Sequence, residues 1–258
     1  MISGIFHSGS GIGDQLFRYI TVRSLALDKG LDWGMVYPEG FKGESFMKNL
    51  GLKQNYGGFW DYKKWHEKKV LENGIDISSY DPEINFVEDN TIIDGNFEDE
   101  KYWGHRLNEI REWLKVEPLE MPDDLCVINF RGGEYATIPE LFLTQEYWDK
   151  AINLMKTKYP KIRFEVHTDD PVTAKLFFPD IPVVDTKKLA HSLNSSMGYN
   201  WRALRYAKHL IIANTAFAIL PSLLNENVKE IIAPRYWARR NLGIWARPAC
   251  YYKKFTYI

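Results

Sequence analysis

Apolar residues in the second half of the chain fall into short continuous runs separated by stretches of helical period. Leu125 to Phe130 reads as a buried strand, Gln145 to Lys158 as an amphipathic helix and Arg163 to His167 as a second strand. A helix near Pro171 to Phe178, a short strand Pro182 to Val184 and a helix Asn200 to Lys208 come next. The series closes with strand Leu210 to Ala213, helix Ala216 to Leu224 and strand Glu230 to Ala233. Strands separated by helices of this length imply right-handed parallel crossovers and a sheet covered on both faces. Ligands in such sheets bind beyond the carboxyl ends of the strands, so the residues just after each strand become the candidates for chemistry.

The first half opens the same way and then loses its rhythm. Ile2 to Phe6 reads as a strand, His7 to Gly13 as a glycine loop, and Asp14 to Asp28 as a helix with Leu16, Phe17, Ile20 and Leu25 on one face. From Tyr37 to about Tyr80 no period dominates, and the segment reads as irregular. Glu98 to Lys115 regains a helical stripe of Trp103, Leu107, Ile110, Trp113 and Leu114, and Pro118 and Pro122 then interrupt the chain. The pattern predicts an α/β protein of two Rossmann-like lobes with parallel sheets, residues 1–118 and 119–258, with the C-terminal tail packing back on the first lobe.

Composition narrows the function classes. In 258 residues, 33 Lys plus Arg nearly balance 34 Asp plus Glu, so no bulk positive field points to nucleic acid or an anionic membrane. No signal peptide or apolar run long enough to span a bilayer is expected. The two cysteines, Cys126 and Cys250, suit neither a disulfide framework nor a zinc cluster, and a reducing, cytoplasmic setting is expected. The sequon at Asn194-Ser195-Ser196 reads as chance in that setting.

Four segments stand where a parallel sheet presents its ligand. Gly9-Ser10-Gly11-Ile12-Gly13-Asp14-Gln15 is a glycine loop running into a helix, able to bring amides to an anion through Gly11 and Gly13 or to form a turn capped by Asp14. It lacks the glycine that a dinucleotide fingerprint would have at Asp14, which disfavours an NAD-dependent reductase. Asn129-Phe130-Arg131-Gly132-Gly133-Glu134 delivers a guanidinium to a strand end, where its planar fork suits a diphosphate or pairs with Glu134. His167-Thr168-Asp169-Asp170-Pro171 offers carboxylates to a base or a metal, or caps a helix. Asn214-Thr215-Ala216-Phe217 turns a strand into a helix whose first amides suit phosphate oxygens, or simply N-caps that helix.

Taken together and in order, these pieces resemble the GDP-fucose-dependent alpha-1,2-fucosyltransferases and their bacterial and viral relatives. Gly11-Ile12-Gly13-Asp14-Gln15-Leu16-Phe17 is similar to that family's opening turn, and Gly95-Asn96-Phe97-Glu98-Asp99-Glu100-Lys101-Tyr102-Trp103 to its middle segment. Asn129 to Tyr135 resembles its His-Ile-Arg-Arg-Gly-Asp-Tyr, Thr168 to Pro171 its Ser-Asp-Asp-Pro, Ile211 to Leu220 its Ile-Ile-Ala-Asn-Ser-Ser-Phe-Ser-Trp-Trp, and Ile232 to Trp237 its closing Ile-Ala-Pro-Lys-x-Trp. The chain departs from the family at Asp14, where the family has asparagine, at Asn129, where it has histidine, at Gly132, where it has a second arginine, and at Ala216, Ala218, Ile219 and Leu220, which replace serines and tryptophans.

The resemblance implies a GT-B architecture with an interlobe cleft, a nucleotide-sugar donor such as GDP-fucose, a glycan acceptor, inversion and no required metal or other cofactor. It implies that Arg131 binds the donor diphosphate, that Asp169 or Asp170 reads the guanine, and that Thr215 and Phe217 lie along the nucleotide. Gly11, Gly13, Gln15, Asn129, Thr168, Asn214 and Ala216 complete the expected donor set. Glu134, Asp14 and His7 are candidates for the general base, and Trp60 and Trp237 for cleft aromatics. The alternatives are a transferase using another nucleotide sugar, such as GDP-rhamnose or UDP-xylose, and a non-catalytic glycan- or nucleotide-binding homologue.

Overall fold

The computed structural model describes residues 1–48, 50–55, 62–184, 196–240 and 244–258. Trp60 and the sequon at Asn194-Ser195 lie outside them. The chain divides into two compact units, Met1–Lys115 and Val116–Ile258.

The first unit is built on a four-stranded parallel sheet: β1 (Ile2–Ile5), β2 (Trp33–Val36), β3 (Lys63–His66) and β6 (Thr91–Asp94), in the order β2-β1-β6-β3. Helix α1 (Ile12–Asp28) carries Leu16, Phe17 and Ile20, all fully buried, each contributing about 1.5–3 kcal/mol by leaving water. Phe17 packs on Trp103 with ring centroids 5.7 Å apart, and the Trp103 indole donates to the Phe97 carbonyl at 3.0 Å. The segment expected to be irregular instead holds β3 and an antiparallel hairpin, β4 (Lys69–Glu72) and β5 (Ile75–Ser78). The hairpin turns on Asn73 and Gly74, φ 52° and 76°, the left-handed pair that a tight two-residue connection requires. The helix expected over Glu98 to Lys115 shrinks to α2 (Leu107–Trp113), preceded by two short 3-10 turns at Glu100–Tyr102 and Gly104–Arg106.

The second unit follows the sequence pattern closely. Its parallel sheet comprises β7 (Leu125–Phe130), β8 (Arg163–Thr168), β9 (His209–Ile212), β10 (Glu230–Ala233) and β13 (Thr256–Tyr257), in the order β13-β10-β9-β7-β8. Its helices are α3 (Gln145–Lys158), α4 (Pro171–Phe177), α5 (Ser196–Tyr206) and α6 (Ala216–Leu224). The closing residues therefore extend this unit's own sheet. A two-stranded ribbon, β11 (Ala238–Arg240) with β12 (Ile244–Ala246), has no counterpart among the expected elements. The strand expected at Pro182 to Val184 reduces to one bridge between Val183 and Val166. Phe130, Trp148, Phe178 and Ile211 centre the core.

Cys126 is buried and Cys250 half-buried, neither in a disulfide. Among the described residues no helix is long and apolar enough to cross a membrane.

Candidate functional site

Because every strand of the second sheet runs the same way, its carboxyl edge gathers the ends of β7, β8 and β9. Strand β7 ends at Phe130 and hands Arg131 to that edge. Its guanidinium pairs with Asp169, just beyond β8, and through Nη2 with Glu134 at 3.0 Å, and it lies 5.2 Å from the centre of the Tyr135 ring. The other oxygen of Asp169 accepts the Gly132 amide at 3.0 Å. Asp170 caps α4, accepting from the Thr173 amide at 3.1 Å and the Thr173 hydroxyl at 2.5 Å, which holds its carboxyl below the usual range. The Thr168 hydroxyl accepts the Asp170 amide at 2.9 Å. Both carboxylates expected to read a base are thus engaged by protein groups.

The glycines after Arg131 follow from this crowding. A Cβ on Gly132 would sit 2.6 Å from the Asp170 Cβ, and one on Gly133, at φ 44°, would sit 2.4 Å from an Asp169 oxygen. The second arginine of the resembled family has no room here in this backbone.

One strand over, β9 leads through Asn214 and Thr215 into α6. Asn214, almost wholly buried, donates to the Leu141 carbonyl at 2.9 Å and the Trp237 carbonyl at 2.5 Å, so its amide ties three loops together. The Thr215 hydroxyl accepts the Ala218 amide at 3.2 Å, an ordinary N-cap. The side chains of both expected donor contacts are therefore structural, and what reaches the edge is the head of α6, where Ala216 and Phe217 supply amides that the helix itself leaves without partners. Phe217 packs edge-on against Trp201. Asn129 is buried within β7, opposite His167. Trp237 lines a cavity of only 20 Å³, room for about one water and none for a sugar ring.

In the first unit the carboxyl edge carries His7 after β1, Tyr37 after β2, Asp94 at the end of β6 and His66 at the end of β3. His7 Nε2 bonds Asp94 Oδ1 at 2.8 Å, and His66 Nδ1 lies 3.6 Å from Asp94 Oδ2. Ile5 to Gly9, Gln15, Tyr37, Glu39, Gly40 and Lys42 enclose an open cavity of 530 Å³.

The glycine loop takes its capped-turn form. Asp14 accepts the Gly11 amide at 3.1 Å, which places a carboxylate where an anion would have to sit and removes the expected donor role of Gly11. Gly13 is buried within α1. Gln15 is buried too, its amide donating to the Gly40 carbonyl at 2.8 Å and accepting the Lys42 amide at 3.0 Å, so it braces the loop after β2 instead of presenting itself to a donor.

Sequence reasoning missed the groups behind this loop. Arg18, buried in α1, donates to the Gly95 carbonyl at 2.7 Å and the Ser10 hydroxyl at 2.8 Å. Glu67 accepts the Asn96 and Phe97 amides at 2.7 and 3.1 Å, yet burial pushes its carboxyl up. Burial also raises Asp14 against the pull of Arg18. Burial, reinforced by the charges of Asp14 and Glu67, pushes Glu98 up to about 8. Among the described residues no three His, Cys, Asp or Glu side chains are grouped to hold a metal ion.

No family model matches the chain, and no curated protein matches it in sequence. Solved structures do match its fold. The Escherichia coli heptosyltransferase WaaC with ADP-2-deoxy-2-fluoro heptose superposes with a TM-score of 0.53 at 12% identity, covering 100% of this chain and 93% of that one. The same enzyme with ADP gives 0.50 at 12% identity, covering 100% and 92%. The NodZ alpha-1,6-fucosyltransferase soaked with GDP-fucose gives 0.45 at 15% identity, covering 89% and 93%, too loose a superposition to carry any argument about shared chemistry. At such low identity the likeness speaks for fold alone: two α/β units with parallel sheets, the architecture of GT-B glycosyltransferases.

Proposed function

We infer that the chain is an inverting, metal-independent glycosyltransferase that moves a sugar, fucose from GDP-fucose in the first instance, to a hydroxyl of a glycan acceptor. The observation that carries this reading is Arg131 at the carboxyl end of β7, one strand from the head of α6. A permanently charged fork and the first amides of a helix on one sheet edge are the kind of groups a departing diphosphate needs. The resemblance of six ordered segments to the fucosyltransferases supports the choice of donor.

In the reaction the acceptor oxygen attacks the anomeric carbon from the face opposite the leaving group. The new glycosidic bond forms as the bond to the diphosphate breaks, and its electron pair leaves with GDP. The hydroxyl proton goes to a base. Of the three sequence candidates, Glu134 is engaged by Arg131 and Asp14 by the Gly11 amide, which favours His7. With Nε2–H donating to Asp94, its Nδ1 is the proton acceptor, and the Asp94 charge stabilises the imidazolium that results.

Thermal-shift titration with GDP, UDP and ADP, followed by transfer assays with GDP-fucose, tests the reading. A GDP-selective stabilisation and a loss of about a hundredfold or more in turnover for Arg131→Ala are expected. Absence of any GDP effect, or near-normal turnover by the folded variant, defeats it.

A further inference from the structure

We propose that Tyr37 is the specificity-determining platform of the acceptor site, an aromatic face on which a neutral pyranose ring of the glycan stacks, in the cavity that also presents His7. The proposal rests on the transferase reading and adds to it the residue that selects the acceptor.

Tyr37 has φ 59° and ψ 49°, the left-handed region that side chains with a Cβ avoid, and it stands directly before Pro38, whose ring pushes its predecessor toward extended backbone. Two steric preferences are violated at one bulky residue. Such conformations persist only where the surroundings over-determine them, and here they do. The Gly40 amide bonds the Tyr37 carbonyl at 3.0 Å, Gln15 grips the backbone of Gly40 and Lys42, and buried Phe41 stacks on Phe6 with centroids 5.8 Å apart.

Core packing is not what the strain secures, because the Tyr37 side chain is 57% exposed. It secures a direction. The phenol stands on the wall of the 530 Å³ cavity lined also by His7, Glu39 and Lys42. An aromatic ring presents a flat apolar face that fits the C–H face of a pyranose, and a neighbouring carboxylate accepts hydrogen bonds from its hydroxyls. The exposed Glu39, two residues on, is that carboxylate, and the His7 imidazole belongs to the same wall.

Saturation-transfer NMR with methyl β-pyranosides of galactose, glucose and N-acetylglucosamine, run with GDP present, tests the assignment. At least one glycoside is expected to receive saturation from the wild type. Tyr37→Ala and Tyr37→Gly should weaken it tenfold or more, while Tyr37→Phe and Tyr37→Trp retain it. Tyr37→Gly should also raise the thermal midpoint, because glycine relieves the left-handed backbone, so a loss of sugar binding in a more stable protein cannot be attributed to misfolding. Unchanged glycoside affinity in Tyr37→Gly, or no saturation transfer to any glycoside in the wild type, overturns the proposal. A protein that stacks glycosides on Tyr37 yet fails to bind GDP would overturn the transferase reading and the acceptor role with it, leaving Tyr37 a glycan-binding platform only.

Discussion

Replacing Glu98 by glutamine should stabilise the protein and flatten the dependence of its stability on pH. Burial and the neighbouring charges of Asp14 and Glu67 move the Glu98 carboxyl from its ordinary 4.5 up to about 8. Between those values the unfolded chain ionises Glu98 while the folded protein keeps it protonated. The unfolded state therefore binds fewer protons, and stability falls as pH rises from the lower value through the upper. At pH 7 the penalty is about 3 kcal/mol, from about 1.4 kcal/mol for each pH step above the unfolded value, and at pH 5.5 it is roughly half of that. Glutamine keeps the shape and cannot ionise, so the variant should gain about 3 kcal/mol at pH 7, about half that at pH 5.5, and nothing below pH 4. Urea unfolding followed by tryptophan fluorescence at these pH values measures the difference. A variant no more stable than the wild type at pH 7, or a gain that does not shrink on acidification, would refute the reasoning.

Other contacts set expectations of their own. Gly132→Ala should cost about 1–3 kcal/mol, because its Cβ would be forced against the Cβ of Asp170, itself anchored to α4, and GDP affinity should fall as the Arg131–Asp169 pair is displaced; thermal melts and GDP titration read both, and a stability change below about 0.5 kcal/mol contradicts the crowding argument. Gln15→Ala should release the loop after β2 at a loss of about 1–3 kcal/mol, seen as faster amide exchange at Lys42, and unaltered exchange there argues against the brace. Transfer should proceed undiminished in excess EDTA; abolition by EDTA with restoration by magnesium or manganese would recast Asp169 and Asp170 as metal ligands.

The second unit can be read from the chain because its central strands β7 and β9 are buried at every residue. Leu125–Phe130 and Glu230–Ala233 are unbroken or nearly unbroken apolar runs, and α3 and α6 begin and end where their periodicity does. The first unit resists because β3, Lys-Lys-Trp-His, is a largely exposed edge strand whose lysines hide the pattern, and because the β4–β5 hairpin is mostly solvated. Its local signal is the Asn73-Gly74 turn followed by the alternation Ile75-Asp76-Ile77-Ser78, which Lys69-Val70-Leu71-Glu72 on the other side does not mirror. The same holds for the chemistry. Arg131 is legible as the residue after an apolar strand, but its pairing with Asp169 depends on β7 and β8 being neighbours, which no local pattern states. Asp94 escapes notice together with β6, although Ile92-Ile93-Asp94-Gly95 is a short apolar run closed by an acid and a glycine.

The strand order β2-β1-β6-β3 places residues 2–5 in the interior of their sheet, flanked on one side by residues 33–36 and on the other by residues 91–94. A growing polypeptide can make the first of these pairings early but must wait for some ninety residues before the second can form. Until then one backbone edge of this strand stays without its neighbour, so the sheet closes only when residues 91–94 arrive, a long-range pairing of the kind that slows folding.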